Sequence, residues 1–287
     1  MPAAALALLL VAAVAHASWN YLAKGATGSV AFTFAFTALA QVLYLPLAVA
    51  AFWWTRQSLG PQVWLWVGVS GALNVLYFVV LIEGYQTGDL SLVYPLARGT
   101  GPALAVAGAV VLLGERPSGL ALAGAGLVVL GILAMSLSPH ALSGPHAGRS
   151  IGFALVAGVC IATYTLWDNK GVTFVTPVLY NYGLDLSRAV LLAPVVLATE
   201  SGRASVMSVF REQRRAVFGV ALLSPGAYIL VLAALTLAPV AYVAPAREIS
   251  ILFGALLGLR LLGERDAPRR LLGATAIVAG IFALALG

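Results

Sequence analysis

Two arginines stand inside stretches where an apolar chain rarely carries a charge. Arg98 follows Pro95 by three residues and Arg247 follows Pro245 by two, each among Leu, Val, Ala and Gly. From each arginine the chain runs sixteen residues to the same tripeptide, Gly114-Glu115-Arg116 after the first and Gly263-Glu264-Arg265 after the second. A charged side chain at membrane depth costs roughly 2.5–3.5 kcal/mol on insertion scales, so it is rarely idle. The forked donors of a guanidinium match a carboxylate or phosphonate bidentately, and two of them at one cavity would favour an anionic or zwitterionic small molecule. Glu248, next to Arg247, is a candidate coupling or pairing carboxylate. A local Arg247–Glu248 pair that merely ties helices together is the competing use. It is awkward on a regular helix, where neighbouring side chains point about 100° apart.

The other chemistry-bearing side chains are hydrogen-bonding and aromatic. His16, Trp19 and Asn20 are spaced three and four apart and so share one face of a helix that is otherwise Ala and Leu. That face suits a cavity wall or a neighbouring helix, and His16 could hold a proton near neutral pH or hydrogen-bond across helices. Asn74 and Tyr77 share a face further on, with Glu83 near the end of the same stretch as a second candidate coupling group. Ser224, Pro225 and Tyr228 form another such group, with Tyr228 deep enough to meet a ligand. Tyr164, Trp167 and Asp168 close an apolar run, where aromatics commonly anchor at the interface, and Trp167 reads as an anchor. Asp185 and Arg188 are spaced to satisfy one another within a helix. Pro95 and Pro245 each delete a backbone donor and clash with the preceding turn, predicting kinks or breaks beside the arginines. The carbonyls so freed are tolerated at that depth only when buried in protein or facing a watery cavity.

Enzyme chemistry has no constellation to work with. There is no Ser/His/Asp grouping, no Gly-rich phosphate loop followed by Lys-Ser or Lys-Thr, and no Cys/His set for a metal. His140 and His146 sit together in a Pro/Gly/Ser-rich stretch but lack the remaining donors a metal needs. No cofactor is expected, and the missing nucleotide loop argues for secondary rather than primary transport.

The elements that must position these residues are transmembrane helices. Hydrophobic residues make up 61% of the chain and charged ones 9%, with a mean hydropathy of +0.99, far outside soluble usage. Spans of about 20 apolar residues fit at 3–23, 31–54, 62–85, 92–113, 119–138, 151–169, 176–199, 216–238, 240–262 and 268–286. This predicts an all-α membrane protein, its ten transmembrane helices arranged as two inverted five-helix repeats. Residues 1–138 form the first repeat, 139–149 a linker and 150–287 the second. Five is odd, so the second copy enters the membrane upside down, and such repeats place a shared site near the midplane and work by alternating access. The run from Ala3 to Leu22 lacks a basic leader and reads as the first span, not a signal peptide. Cys160 alone excludes an internal disulfide. The net charge of +6 clusters at helix ends, which points to loop arginines and away from nucleic acid. If both termini share one side, that side carries Arg56, Arg116 and Lys170, against ten basic residues opposite, among them Lys24 and Arg260. The positive-inside rule would then leave both termini outside. Small faces at Gly124, Gly126 and Gly131, and at Gly254 and Gly258, allow close helix approach.

The run Gly88-Asp89-Leu90-Ser91-Leu92-Val93-Tyr94-Pro95-Leu96-Ala97-Arg98-Gly99 and the two Leu-Leu-Gly-Glu-Arg turns resemble the EamA-like branch of the drug/metabolite transporter superfamily, over essentially the whole chain. His16-Ala17-Ser18-Trp19-Asn20 resembles a subset associated with phosphonate use. The resemblance implies a secondary carrier, commonly an exporter of amino acids or related metabolites, with a cavity lined by spans one, three, four, six, eight and nine. It also implies cytoplasmic termini, opposite to the arginine count. Span one has no carboxylate of the kind small multidrug carriers use, which weakens the alternative of a cation or multidrug antiporter. An intramembrane enzyme and a non-transporting scaffold are the remaining alternatives. The expectation is thus a carrier of small anionic or zwitterionic metabolites in a bacterial inner membrane, monomeric or homodimeric, with a proton as candidate coupling ion. Arg247 and Arg98 would be its ligand anchors, and His16, Trp19, Asn20, Asn74, Tyr77 and Tyr228 its cavity wall.

Overall fold

In lipid an unpaired backbone amide finds no water, so an apolar chain crosses as helix. Every regular element among the described residues is helical. The structure is a computed structural model that describes residues 1–23, 29–87, 90–136, 147–253 and 267–287. Lys24, Gly88, Asp89, His140, His146, the Gly254/Gly258 pair, Arg260 and the second Gly263-Glu264-Arg265 turn lie outside them.

The helices are α1 (Ala3–Ala23), α2 (Val30–Thr55), α3 (Pro61–Thr87), α4 (Leu90–Leu112), α5 (Gly119–Ser136), α6 (Ala147–Gly171), α7 (Pro177–Leu197), α8 (Glu200–Glu212), α9 (Arg214–Leu235), α10 (Val240–Ala246) and α11 (Ala267–Leu286). Six of the described helices, α1 to α4, α6 and α9, are long and apolar enough to span a membrane, and α7 with α8 makes a seventh if the bent pair is one span. Shorter apolar helices lie within α5 and α11. Large apolar side chains face outward, Trp54 being 90% and Leu286 80% exposed. Such a surface needs lipid around it.

Local signals set several boundaries. Ser29 caps α2 by accepting from the Phe32 amide at 3.1 Å, and α2 closes on Arg56 in the left-handed region at φ 48°. Pro177 occupies the first turn of α7. The first Gly-Glu-Arg turn does more than reverse the chain. Gly114 takes φ 68°, and the Glu115 carboxylate accepts from the amides of Val240 at 2.8 Å and Ala241 at 2.9 Å, capping α10 from the other half.

One feature departs from the sequence reading and another gives an expected break its place. Residues 200–212, expected as a connection, form α8, bent by 119° from α7. Thr199 caps it by accepting from the Gly202 amide. Glu200 in its first turn and Arg211 in its last suit the helix dipole. It is too polar to continue the span, so it turns aside. The ninth span, drawn over 240–262 with a kink or break expected beside Pro245, breaks after Ala246. Arg247 and Glu248 form a turn, and the chain is helical again at 249–253, with Glu248 and Ile251 donating to carbonyls three residues back. Pro245, which has no amide hydrogen, sits in the turn before the break. In α4, by contrast, helix runs on both sides of Pro95.

Packing follows an exchange of halves. α5 packs on α11 and α2 on α7, while α1 packs on α9 as α6 does on α3. The α5–α11 seam is backbone against backbone. A Cβ on Gly124 would lie 2.6 Å from the Gly280 carbonyl, and one on Gly131 would lie 2.7 Å from the Gly273 carbonyl. As residue numbers rise along α5 they fall along α11, so these two helices are antiparallel. Met1 meets the carbonyls of Leu284 and Ala285, placing both chain ends on one face.

This seam can be tested with a control on the same helix. Gly124→Val should lower stability by about 1–3 kcal/mol, because a backbone carbonyl cannot move aside as a side chain can. Gly126→Ala, with nothing within 4 Å of its Cβ, should melt like the wild type. Thermal unfolding in detergent reads both.

Candidate functional site

The arginine of α4 and the arginine after α10 meet different partners. The Arg98 guanidinium lies 2.7 Å from Glu248 Oε2 and donates to Ser250 Oγ at 3.0 Å. Glu248 is fully buried, so its charge is balanced from the opposite half of the chain. Arg247 Nε comes only to 3.5 Å from Glu248 Oε1 and makes no hydrogen bond, nor does Arg247 Nη2. The expected awkwardness of an Arg247–Glu248 pair is eased by the turn at 247–248, which takes both residues off the regular helix. The two arginines, related by the repeat, are therefore not equivalent: Arg98 is engaged and Arg247 retains buried donors. Arg247 stacks over Tyr164 at 5.9 Å, and Arg98 over Tyr94 at 5.9 Å.

Both arginines border a cavity of about 250 Å³. His16, Trp19, Asn20, Asn74, Tyr77 and Tyr228 line it too, so the helices bring all eight of these side chains together. Several are partly occupied by their own helices. Asn20 donates to the His16 carbonyl at 2.8 Å and Asn74 to the Ser70 carbonyl at 3.1 Å. His16 meets Trp19 edge to face at 4.8 Å, while Trp19 Nε1 is buried without a partner. Glu83 does not line the cavity; it is exposed near the end of α3. Pro245 lies buried two residues before the cavity arginine.

The structure adds residues that sequence reasoning placed elsewhere. α7 joins the wall through Asn181, Asp185 and Arg188, although the resemblance implied six other spans. Asp185 and Arg188 do pair at i, i+3, and Asn181 donates to Asp185 Oδ2 at 3.0 Å. Arg188 also lies between the rings of Phe36 and Phe78, at 5.9 and 5.5 Å. Tyr164 lines the cavity between Tyr77 and Tyr228, its ring 6.1 and 6.4 Å from theirs. Trp167 is tied inward, donating to the Trp66 carbonyl at 2.9 Å. Asp168 is buried, accepting from Ser70 at 2.5 Å, from Tyr180 at 2.8 Å and from Tyr228. No group of three or more potential metal ligands occurs among the described residues.

The Arg98–Glu248 pair carries its own test. Arg98→Met leaves a buried carboxylate with only the more distant Arg247, and should cost ~3 kcal/mol or more. The double variant Arg98→Met/Glu248→Met removes both charges and should recover much of that loss. Denaturation of the purified variants in detergent distinguishes the two.

The comparisons with known proteins agree with this architecture. One solved structure, titled only as the crystal structure of a protein, is similar at 15% identity with a TM-score of 0.74, covering 100% of this chain and 98% of that one. At that identity the likeness speaks for the fold alone. None of the curated proteins matches the chain. The EamA-like transporter family matches twice, over residues 3–137 and 148–286, one match for each half of the packing exchange. The chain is a multi-pass membrane protein belonging to the EamA-like transporter family of the drug/metabolite transporter superfamily.

Proposed function

We propose that this protein is a secondary carrier that moves small anionic or zwitterionic metabolites, amino acids or close relatives, outward across the cell membrane by alternating access. One observation supports the substrate class most directly. The buried polar atoms at the cavity that lack hydrogen-bond partners are N–H donors: Trp19 Nε1, Arg98 Nε, Arg188 Nε, and Arg247 Nε and Nη2. A wall of unmet donors calls for an acceptor-rich ligand, and an orphaned buried donor is costly until it finds one. The Glu248 oxygens also lack hydrogen bonds, but they face arginines rather than the cavity.

Arg247 is the ligand anchor in this reading, with two unengaged nitrogens to offer a carboxylate or phosphonate. Arg98 helps to set the potential while its ion pair holds α4 against the broken helix. Trp19, Tyr77, Tyr164 and Tyr228 give the aromatic wall, and His16, Asn20 and Asn74 its polar part. A volume of about 250 Å³ suits a molecule of amino-acid size, since one water takes about 30 Å³. The antiparallel course of α5 and α11 supports inverted repeats, which expose a central site to each side in turn when one half rocks on the other. Outward direction rests on the family resemblance.

The experiment is thermal unfolding in detergent with glycine, acetate, methylphosphonate or tetramethylammonium. A ligand at about 100 times its Kd adds roughly 2.7 kcal/mol. Glycine, acetate or methylphosphonate should stabilise the wild type, and Arg247→Ala should insert and purify but lose the shift. Stabilisation by tetramethylammonium alone would move the cation antiporter to first place.

A further inference from the structure

Asp168 is the buried charge that the carrier reading leaves unused. It is fully buried near the end of α6, and no Lys or Arg forms an ion pair with it among the described residues. It is held by hydroxyls instead. Oδ1 accepts from Ser70 on α3 and Tyr180 on α7, and Oδ2 accepts from Tyr228 on α9. Tyr228 also lines the cavity. One side chain thus reaches both the buried carboxylate and the ligand space.

The surroundings leave this carboxylate without a direct countercharge. From the elements packed on α6, the groups that face it are Ser70, Tyr180 and Tyr228, and Arg247 is the charge whose field reaches it. On α3, Tyr77 lies at the cavity and Glu83 is exposed. On α4, Arg98 is engaged by Glu248. On α7, Asp185 and Arg188 pair with one another. Lys170 on α6 itself is exposed and lies against the Phe174 ring. A carboxylate in such a setting meets three hydroxyl dipoles and the field of Arg247 but no ion pair, and binding one proton removes its charge.

We infer that Asp168 is the proton-binding site of this carrier and that Tyr228 links its occupancy to the ligand cavity. The stereochemistry sets the sign. With Asp168 ionised, the Tyr228 O–H points at Oδ2 and offers the cavity only lone pairs. One proton taken up from the cavity and placed on Oδ2 occupies that bond, and Tyr228 must accept there instead. Its own hydrogen then turns to the cavity as an additional donor beside Arg247. Tyr228 ends neutral, and the net change is one proton on Asp168. An acceptor-rich ligand therefore binds more tightly when the proton is bound, and by reciprocity the ligand favours proton uptake. Ligand affinity thus follows the protonation of Asp168.

The coupling rests on the proposed carrier function; the proton site does not, and two measurements separate them. Difference infrared spectroscopy of the purified protein during a pH titration reads protonation without any ligand. A carboxyl band should appear on acidification, be absent in Asp168→Asn and persist in Tyr228→Phe. If the wild type and Asp168→Asn give the same spectra, or if sodium in place of potassium abolishes the band, the proton site is wrong. The second measurement is binding of glycine and acetate, whose own charges stay constant from about pH 6 to pH 8. Affinity should rise on the order of tenfold as the carboxyl band grows in. Asp168→Asn, whose amide donates to Tyr228 as the protonated acid would, should bind at the low-pH affinity throughout. Tyr228→Phe should lose the pH dependence while keeping the band. Equal wild-type affinity at all pH overturns the coupling. Absence of glycine and acetate binding at every pH overturns the coupling as drawn together with the carrier reading, and the infrared result still decides the proton site.

Discussion

Glu248 has no access to water, and the structure around it follows from that. A carboxylate buried in a membrane protein must be neutralised by a partner that is itself held in place. Arg98 supplies the charge from α4, across the boundary between the repeats, and Ser250 holds the same guanidinium from the far side of the helix break. Glu248 reaches Arg98 from residues 247–248, where the chain leaves regular helix. The same turn brings Arg247 to the cavity with Nε and Nη2 making no hydrogen bond. With Pro245 before the break, one ion pair thus accounts for the link between halves and for the difference between two arginines that the repeat would make alike.

The asymmetry carries functional weight. In an exactly duplicated site both arginines would meet equivalent carboxylates, but Glu248 follows Arg247 where Gly99 follows Arg98. The added carboxylate falls between the two guanidiniums and is taken by the one from the other half. What remains is a cavity with one engaged and one available arginine, ringed by tyrosines. A second tie runs the same way, from the Glu115 carboxylate to the amides that begin α10. Both hold the short α10 against the first half, beside the cavity.

Much of this was legible in the residues because membrane burial makes polarity expensive. His16, Trp19, Asn20, Asn74 and Tyr77 stood out against Ala and Leu by spacing alone, and helical geometry places each set on one face. The unseen parts are those that depend on contacts distant in sequence. Asp168 looked like part of an interfacial cap because it ends an apolar run beside Trp167, yet Ser70, Tyr180 and Tyr228 enclose it from three other helices. Asp185 and Arg188 pair as their spacing suggests, but spacing does not say that α7 turns this pair to the cavity. The exchange of Glu248 from its neighbour to Arg98 was equally hidden, since a helix wheel assumes the helix continues. α8 escaped notice because its polar composition resembles a connection, whereas its cap and end charges suit a short surface helix.

The central claim is that Arg247 is the arginine that meets the ligand, while Arg98 is held by Glu248 and Ser250. Nuclear magnetic resonance of protein carrying nitrogen-15 arginine, assigned by single substitution, reads each guanidinium separately. Adding glycine or acetate should shift the Arg247 side-chain signals and slow their exchange with water, while those of Arg98 stay in place. Movement of the Arg98 signals with Arg247 unchanged would contradict the account, because the engaged arginine would then be the one that meets the ligand.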